Sequence, residues 1–178
     1  MVSRFSLLLA LPLLMAAEPV LSGPQPGQRP GPYSFLVATG VNRGQLTCFI
    51  CETDDKPAAI VFARKLTPAL GKLLAEFDGW VGKQPKDASY SWVTVLGEKT
   101  TSSDDLAKWS QTAGLRNVPA GIFDDADGPP SYKLHRDAEA TVLLFVNRKV
   151  VANYTLKAGE LDDNKIEAIK MELVKLKK

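Results

Sequence analysis

Two cysteines, Cys48 and Cys51, stand in the run Gln45 to Glu52 (QLTCFICE) and are the only thiols among 178 residues. A pair at this spacing can cycle between dithiol and disulfide, or be structural, as a bridge or as buried thiols. It can also supply half of a zinc site that another chain completes. Local geometry decides which. If the run is one extended strand, three residues separate the Cα atoms by roughly 10 Å, beyond the roughly 7 Å that a disulfide tolerates. The thiols would then face opposite sides, with Cys48 beside Leu46 and Ile50. If the chain turns at Phe49 and Ile50 instead, both sulfurs converge, although two large apolar residues are poor occupants of a tight turn. Zinc is the weakest option, because His135 is the single imidazole and lies far along the chain.

The remaining polar features have plainer readings. Asp124, Asp125 and Asp127 (DDADG) lack the later acidic ligand of a calcium loop and read as a solvated loop. His135, between Leu134 and Arg136, reads as a surface or partly packed residue. Trp80, Trp92 and Trp109 fall in or beside apolar elements and read as packing groups, not as a platform for bases. Asn153, Tyr154 and Thr155 match a glycosylation acceptor. No metal and no cofactor is implied.

Composition narrows the function classes. With 45% hydrophobic and 24% charged residues the chain is an ordinary globular protein, and at 178 residues it is of single-domain size. A formal charge of +2 provides no large basic field, which argues against nucleic acid as a partner.

The N-terminus places the thiols in a compartment. Met1 to Met15 carries Arg4 and then an apolar run, too short to span a bilayer and followed by small residues, as in a secretory signal peptide. We assign residues 1–22 to that signal, with cleavage after Ser22 or after Ala17, and expect no membrane span once it is removed. Residues 23–32 (GPQPGQRPGP) read as an extended tether outside the core, and 33–178 as the folded domain. Export leads to an oxidising compartment, periplasmic or secreted, where a disulfide persists.

The elements that must position the cysteines follow from periodicity. Tyr33 to Thr39 and Gln45 to Glu52 flank GVNRG as a β-hairpin. Ala58 to Ala63 (AAIVFA) is unbrokenly apolar, as a central strand covered on both faces should be. Thr67 can cap a helix with Pro68 at its first position and Leu70, Leu73, Leu74 and Phe77 on one face. Tyr90 to Leu96 is a strand, Ser102 to Ala113 a helix, and Gly121 to Phe123 a weaker strand before the loop at 124–130. Thr141 to Val146 and Val150 to Tyr154 form a tight hairpin around Asn147, Arg148 and Lys149. The last helix carries Ile166, Ile169, Leu173 and Leu176 on one face. Strands separated by helices imply right-handed parallel crossovers, and the closing hairpin adds antiparallel strands. The expected fold is a three-layer α/β sandwich with a mixed sheet, an N-terminal hairpin extension and helices on both faces.

This succession resembles the thioredoxin-like superfamily across Tyr33 to Lys178. The leading hairpin is similar to the N-terminal addition of its peroxiredoxin and related extracytoplasmic branches. Ala140 to Tyr154 (ATVLLFVNRKVVANY) is similar to the segment in which a proline precedes an apolar strand, a turn and a partner strand. The resemblance implies a redox pair just after the first central strand, but Arg64, Lys65, Leu66, Thr67 and Pro68 occupy that stretch. The position of the cis-proline holds Ala140, where a cis bond would cost about 3 kcal/mol and is not expected. The implied function is thiol–disulfide exchange or redox sensing through the displaced pair Cys48 and Cys51, acting on protein thiols or disulfides. Arg64 and Lys65 are the nearest source of positive field if the hairpin folds over the sheet's end. The alternative is a redox-inactive module that binds a peptide around Thr67 and Ala140, where family members dock substrates. A peroxidase would need a cysteine near Thr67.

Overall fold

The computed structural model describes residues 20–97 and 101–176. The N-terminal apolar run assigned to a signal, Met1 to Met15, lies outside them. In chain order the elements are β1 (Phe35–Val37), β2 (Leu46–Thr47), α1 (Phe49–Glu52), β3 (Ala58–Ala63), α2 (Pro68–Gly82), β4 (Tyr90–Leu96), α3 (Ser103–Thr112), β5 (Ala120–Phe123), β6 (Ala140–Val146), β7 (Lys149–Leu156) and α4 (Asp163–Leu173). They build one seven-stranded mixed sheet in the order β2-β1-β5-β4-β3-β6-β7. The strand β3 is central, parallel to β4 and antiparallel to β6, and all six of its residues are buried.

Side-chain alternation along β3 divides the molecule into two cores. Ala59, Val61 and Ala63 face Leu70, Leu73, Leu74 and Phe77 of α2, Leu106 of α3, and Ile166, Ile169 and Leu173 of α4. All three longer helices therefore share one face, rather than covering both faces as the element order implied. The connections β3-α2-β4 and β4-α3-β5 step across the sheet in the same direction, and two right-handed crossovers in one direction stay on one side. The other face, carrying Ala58, Ile60 and Phe62, is covered by Tyr33, Phe49, Tyr132 and Leu134 from α1 and from loops. It is an aromatic layer. Tyr132 meets Phe62 at a centroid distance of 4.9 Å, and Tyr33 meets Phe62 at 5.4 Å.

Capping residues start the helices where the sequence places them. The side chains of Thr67, Ser102 and Asp162 accept backbone N–H groups from Leu70, Asp105 and Lys165. The β6-β7 hairpin turns at Asn147 and Arg148, with φ of +52° and +59°, the two left-handed residues of a twist-matched two-residue turn. A buried carboxylate ties α2 to the approach of β5. Asp78 accepts N–H bonds from Arg116, Asn117 and Val118 at 2.7, 2.5 and 3.0 Å.

The segment at 23–32 is extended, but it is docked on the fold rather than free of it. Ser22 is fully buried, with its hydroxyl 2.6 Å from the Thr141 hydroxyl and accepting the His135 N–H. Asn153 donates its amide to the carbonyls of Ser22 and Pro24. Gly27 and Gln28 exchange backbone bonds with Val150 of β7, covering part of that sheet edge. Proline and glycine composition predicts an extended tether outside the core. It carried no sign of these polar anchors.

Candidate functional site

The leading hairpin forms, but its second strand is shorter than expected. It ends at Thr47, and the chain then closes into the single helical turn α1. Cys48 occupies the N-cap, and its carbonyl accepts the Cys51 N–H at 3.1 Å. That turn brings the two Cα atoms to 5.4 Å, and Cys48 and Cys51 are joined by a disulfide. The extended-strand geometry, with thiols on opposite faces, is thereby excluded, and neither cysteine remains free to ligate zinc.

Phe49 and Ile50 do not resist the turn, because a helical turn directs them inward. Phe49 is buried, its ring 5.6 Å from Phe35 and 5.8 Å from Trp92. Thr53 secures the exit by donating its hydroxyl to the Ile50 carbonyl, and Asp54, at φ +47°, ends the turn. The bridge is thus seated on the aromatic layer through the residue beside it.

Burial distinguishes the two sulfurs' residues. Cys48 is half-buried, whereas Cys51 is exposed. Cys51 also lines a cavity of about 340 Å³ together with Arg29, Pro30, Pro32, Ile50, Phe145 and Arg148. This volume is at the lower end of the range for small-molecule sites, roughly 300–1,000 Å³. Its apolar floor is Phe145 and Ile50, and one wall is the docked N-terminal segment. Arg148 is held by Asp54 and Asp55, each at 3.2 Å. Arg29 has no ion-pair partner among the described residues.

The expected cationic neighbours are elsewhere. Phe145, on the cavity floor, pairs with Ala58 at the start of β3, whereas Arg64 follows the strand's far end, where Ala63 pairs with Ala140. Five residues of strand separate those ends by about 17 Å. Arg64 is tied there to the carbonyls of Ala126, His135 and Ala138, and Lys65 lies 3.5 Å from Glu139. Burial lowers the Arg64 pKa from its ordinary value, with Arg136 nearby acting in the same direction and Asp127 against it.

Thr67 and Ala140 are brought together at that far end. The Thr67 hydroxyl accepts the Leu70 N–H, and Ala140 is buried between Ala63 and Leu156. The depression that they share with Leu161 holds about 10 Å³. The described residues contain no cis peptide bond, as Ala140 implied.

The lesser features have structural roles. Asp127 is gripped by two of the guanidinium nitrogens of Arg136, Nε and one terminal nitrogen, whose hydrogen bonding holds the carboxyl below its usual range. Among the described residues no cluster of three His, Cys, Asp or Glu side chains could hold a metal. His135 is exposed, and its Nδ1 accepts the Asp137 N–H. Trp80 and Trp92 are buried, and Trp92 donates its indole N–H to the Tyr33 hydroxyl at 2.8 Å. No described helix is long and apolar enough to cross a membrane.

No family model and no curated protein matches the sequence. Solved structures do match. A candidate protein disulfide isomerase from Bacteroides thetaiotaomicron superposes with a TM-score of 0.64 at 13% identity, covering 88% of this chain and 94% of its own. A candidate thiol:disulfide interchange protein DsbE from Chlorobium tepidum gives 0.64 at 11%, covering 85% and 96%. Peroxidoxin BcpB from Mycobacterium tuberculosis gives 0.58 at 14%, covering 87% and 99%. The fold is thioredoxin-like. At these identities the likeness shows the architecture alone, and the chemistry has to come from the residues of this chain. Those residues put the disulfide at the β3 end opposite Thr67, with Arg29, Pro30, Pro32 and Phe145 beside it. Sequence reasoning missed these four because long-range docking, not spacing, assembles them.

Proposed function

We propose that this thioredoxin-like protein performs thiol–disulfide exchange, or senses redox state, through the Cys48–Cys51 pair in an extracytoplasmic compartment. The observation that carries the reading is a disulfide with one partner exposed at the wall of a cavity. A bridge kept only for structure gains nothing from an open approach to one sulfur, whereas exchange needs an attacker to reach it. The neighbours whose descriptions include disulfide isomerase and thiol:disulfide interchange activity support the same reading. Reading the N-terminal apolar segment as a secretory signal is consistent with it, because an exposed disulfide persists where the surroundings are oxidising. The substrates are thiols or disulfides of proteins, peptides or small molecules.

Equilibrating the folded protein in buffers of graded dithiol and disulfide ratio tests this, with insulin reduction as the activity readout. Exchange predicts that the bond opens and recloses without unfolding, and that Cys48→Ser abolishes turnover. A bond that opens only when the protein unfolds refutes exchange and leaves the other role, a peptide-binding module with a structural clamp. In that case Cys48→Ser leaves partner capture near Thr67 and Ala140 unchanged.

A further inference from the structure

We infer that Cys51 is the sulfur that exchanges with substrate, that Cys48 is the leaving and resolving sulfur, and that the adjoining cavity seats a small thiol bearing a carboxylate. This rests on the exchange reading above and specifies the substrate class and the order of attack.

Three observations converge on it. Cys51 is exposed and lines the cavity, while Cys48 is half-buried and is not part of that lining. An attacking thiolate must approach a sulfur along the S–S axis from the side away from its partner, and the cavity adjoins the Cys51 end of the bridge. The lining also contains two guanidiniums and one carboxylate. Asp54 is engaged by Arg148, so Arg29 is the lining cation left without an ion-pair partner among the described residues, and a carboxylate is the group that complements it. The floor of Ile50 and Phe145, with Pro30 and Pro32 at the wall, accepts the hydrocarbon part of such a molecule. At about 340 Å³ the space suits a molecule of small-peptide size, not a folded protein loop.

The reaction balances without any further co-reactant. A substrate thiolate attacks Cys51 Sγ, forming the substrate–Cys51 disulfide and breaking the Cys48–Cys51 bond. The electron pair leaves on Cys48, which takes a proton from solvent. A second substrate thiolate then attacks the substrate sulfur of the mixed disulfide and releases Cys51. Two substrate thiols are oxidised to one disulfide, and the protein pair is reduced by two electrons. The reverse sequence reduces a small disulfide, with Cys51 as the attacker.

The test compares single-thiol proteins, Cys48→Ser and Cys51→Ser, reacting with the dianionic disulfide 5,5′-dithiobis(2-nitrobenzoate) and the dicationic disulfide cystamine. Cys51 alone is expected to react about tenfold faster than Cys48 alone with either reagent. Adding Arg29→Gln to Cys48→Ser is expected to lower the dianion-to-dication rate ratio by about fivefold. Should loss of the bridge perturb folding, reduced wild-type protein given a brief pulse of iodoacetamide should carry the label first on Cys51, as read by peptide mass. Equal or reversed reactivity overturns the order of attack, and an unchanged ratio overturns the carboxylate seat. These rates need no redox cycle. A wild-type bond that never opens in the folded protein would refute exchange itself, whereas intact cycling with Cys48 reacting first would refute only this assignment.

Discussion

Reducing the Cys48–Cys51 bond should cost the fold little, and the amount can be worked from the structure. The bridge spans a sequence separation of 3, so the loop that it closes in the unfolded chain is only four residues long. The loop-entropy relation gives about 6 cal/mol/K for that length, or about 2 kcal/mol at 25 °C. The native contacts around the turn do not depend on the S–S bond. Phe49 stays packed between Phe35 and Trp92, the Cys48 carbonyl still receives the Cys51 N–H, and Thr53 still holds Ile50. Urea unfolding of oxidised and reduced protein, followed by far-ultraviolet circular dichroism, should show two cooperative transitions of equal slope separated by about 2 kcal/mol. The thermal midpoint should fall by about 4–8 °C for a chain of this size. A loss of more than about 5 kcal/mol, or loss of cooperativity, would mean that the bond organises the aromatic layer and is a structural staple. That result would remove the physical basis for a reversible bond.

Three further outcomes follow from buried groups. Asp78→Ala strands the N–H groups of Arg116, Asn117 and Val118 and should cost roughly 3–5 kcal/mol in urea unfolding, and a loss under 1 kcal/mol would refute that anchoring role. Burial raises the phenol pKa of both Tyr33 and Tyr132 above the ordinary value of about 10, so above that pH the unfolded chain releases protons that the folded chain retains. The stability they contribute is complete below pH 10 and declines as pH rises beyond it, and a flat unfolding free energy from pH 10 to 12 would contradict this. If the N-terminal segment is a cleaved signal, cleavage should follow Ala17, because Ser22 is buried against Thr141, His135 and Asn153; intact mass with Gly23 as the first residue would refute that.

The sequence displayed the sheet more clearly than the site. Period and punctuation identified β3, α2, β4, α3, β6 and α4, since each buries a face whose spacing is local. The same periodicity left open which sheet face each helix covers. Two crossovers in one direction settle that, and the direction depends on which strands pair. At the cysteines the difficulty was an assumption about turns: Phe49 and Ile50 are unsuited to an exposed tight turn but well suited to a helical turn over an apolar layer. The aromatic partners that make the layer, Phe35 and Trp92, are 14 and 43 residues from Phe49 in sequence. No local window contains that information.

The cavity wall has the same origin and constrains how the site works. Pro30 and Pro32 stand beside Cys51 because Gly27 and Gln28 bond to Val150, and because Tyr132 donates its hydroxyl to the Gly31 carbonyl. The apparent tether is therefore part of the cavity wall, positioned from β7 and from the aromatic layer rather than by its own composition. Phe145, on the floor, lies in β6 and meets Trp92 at 6.2 Å, and Trp92 in turn packs on Phe49 next to the bridge. Floor, bridge and wall thus rest on one continuous aromatic layer.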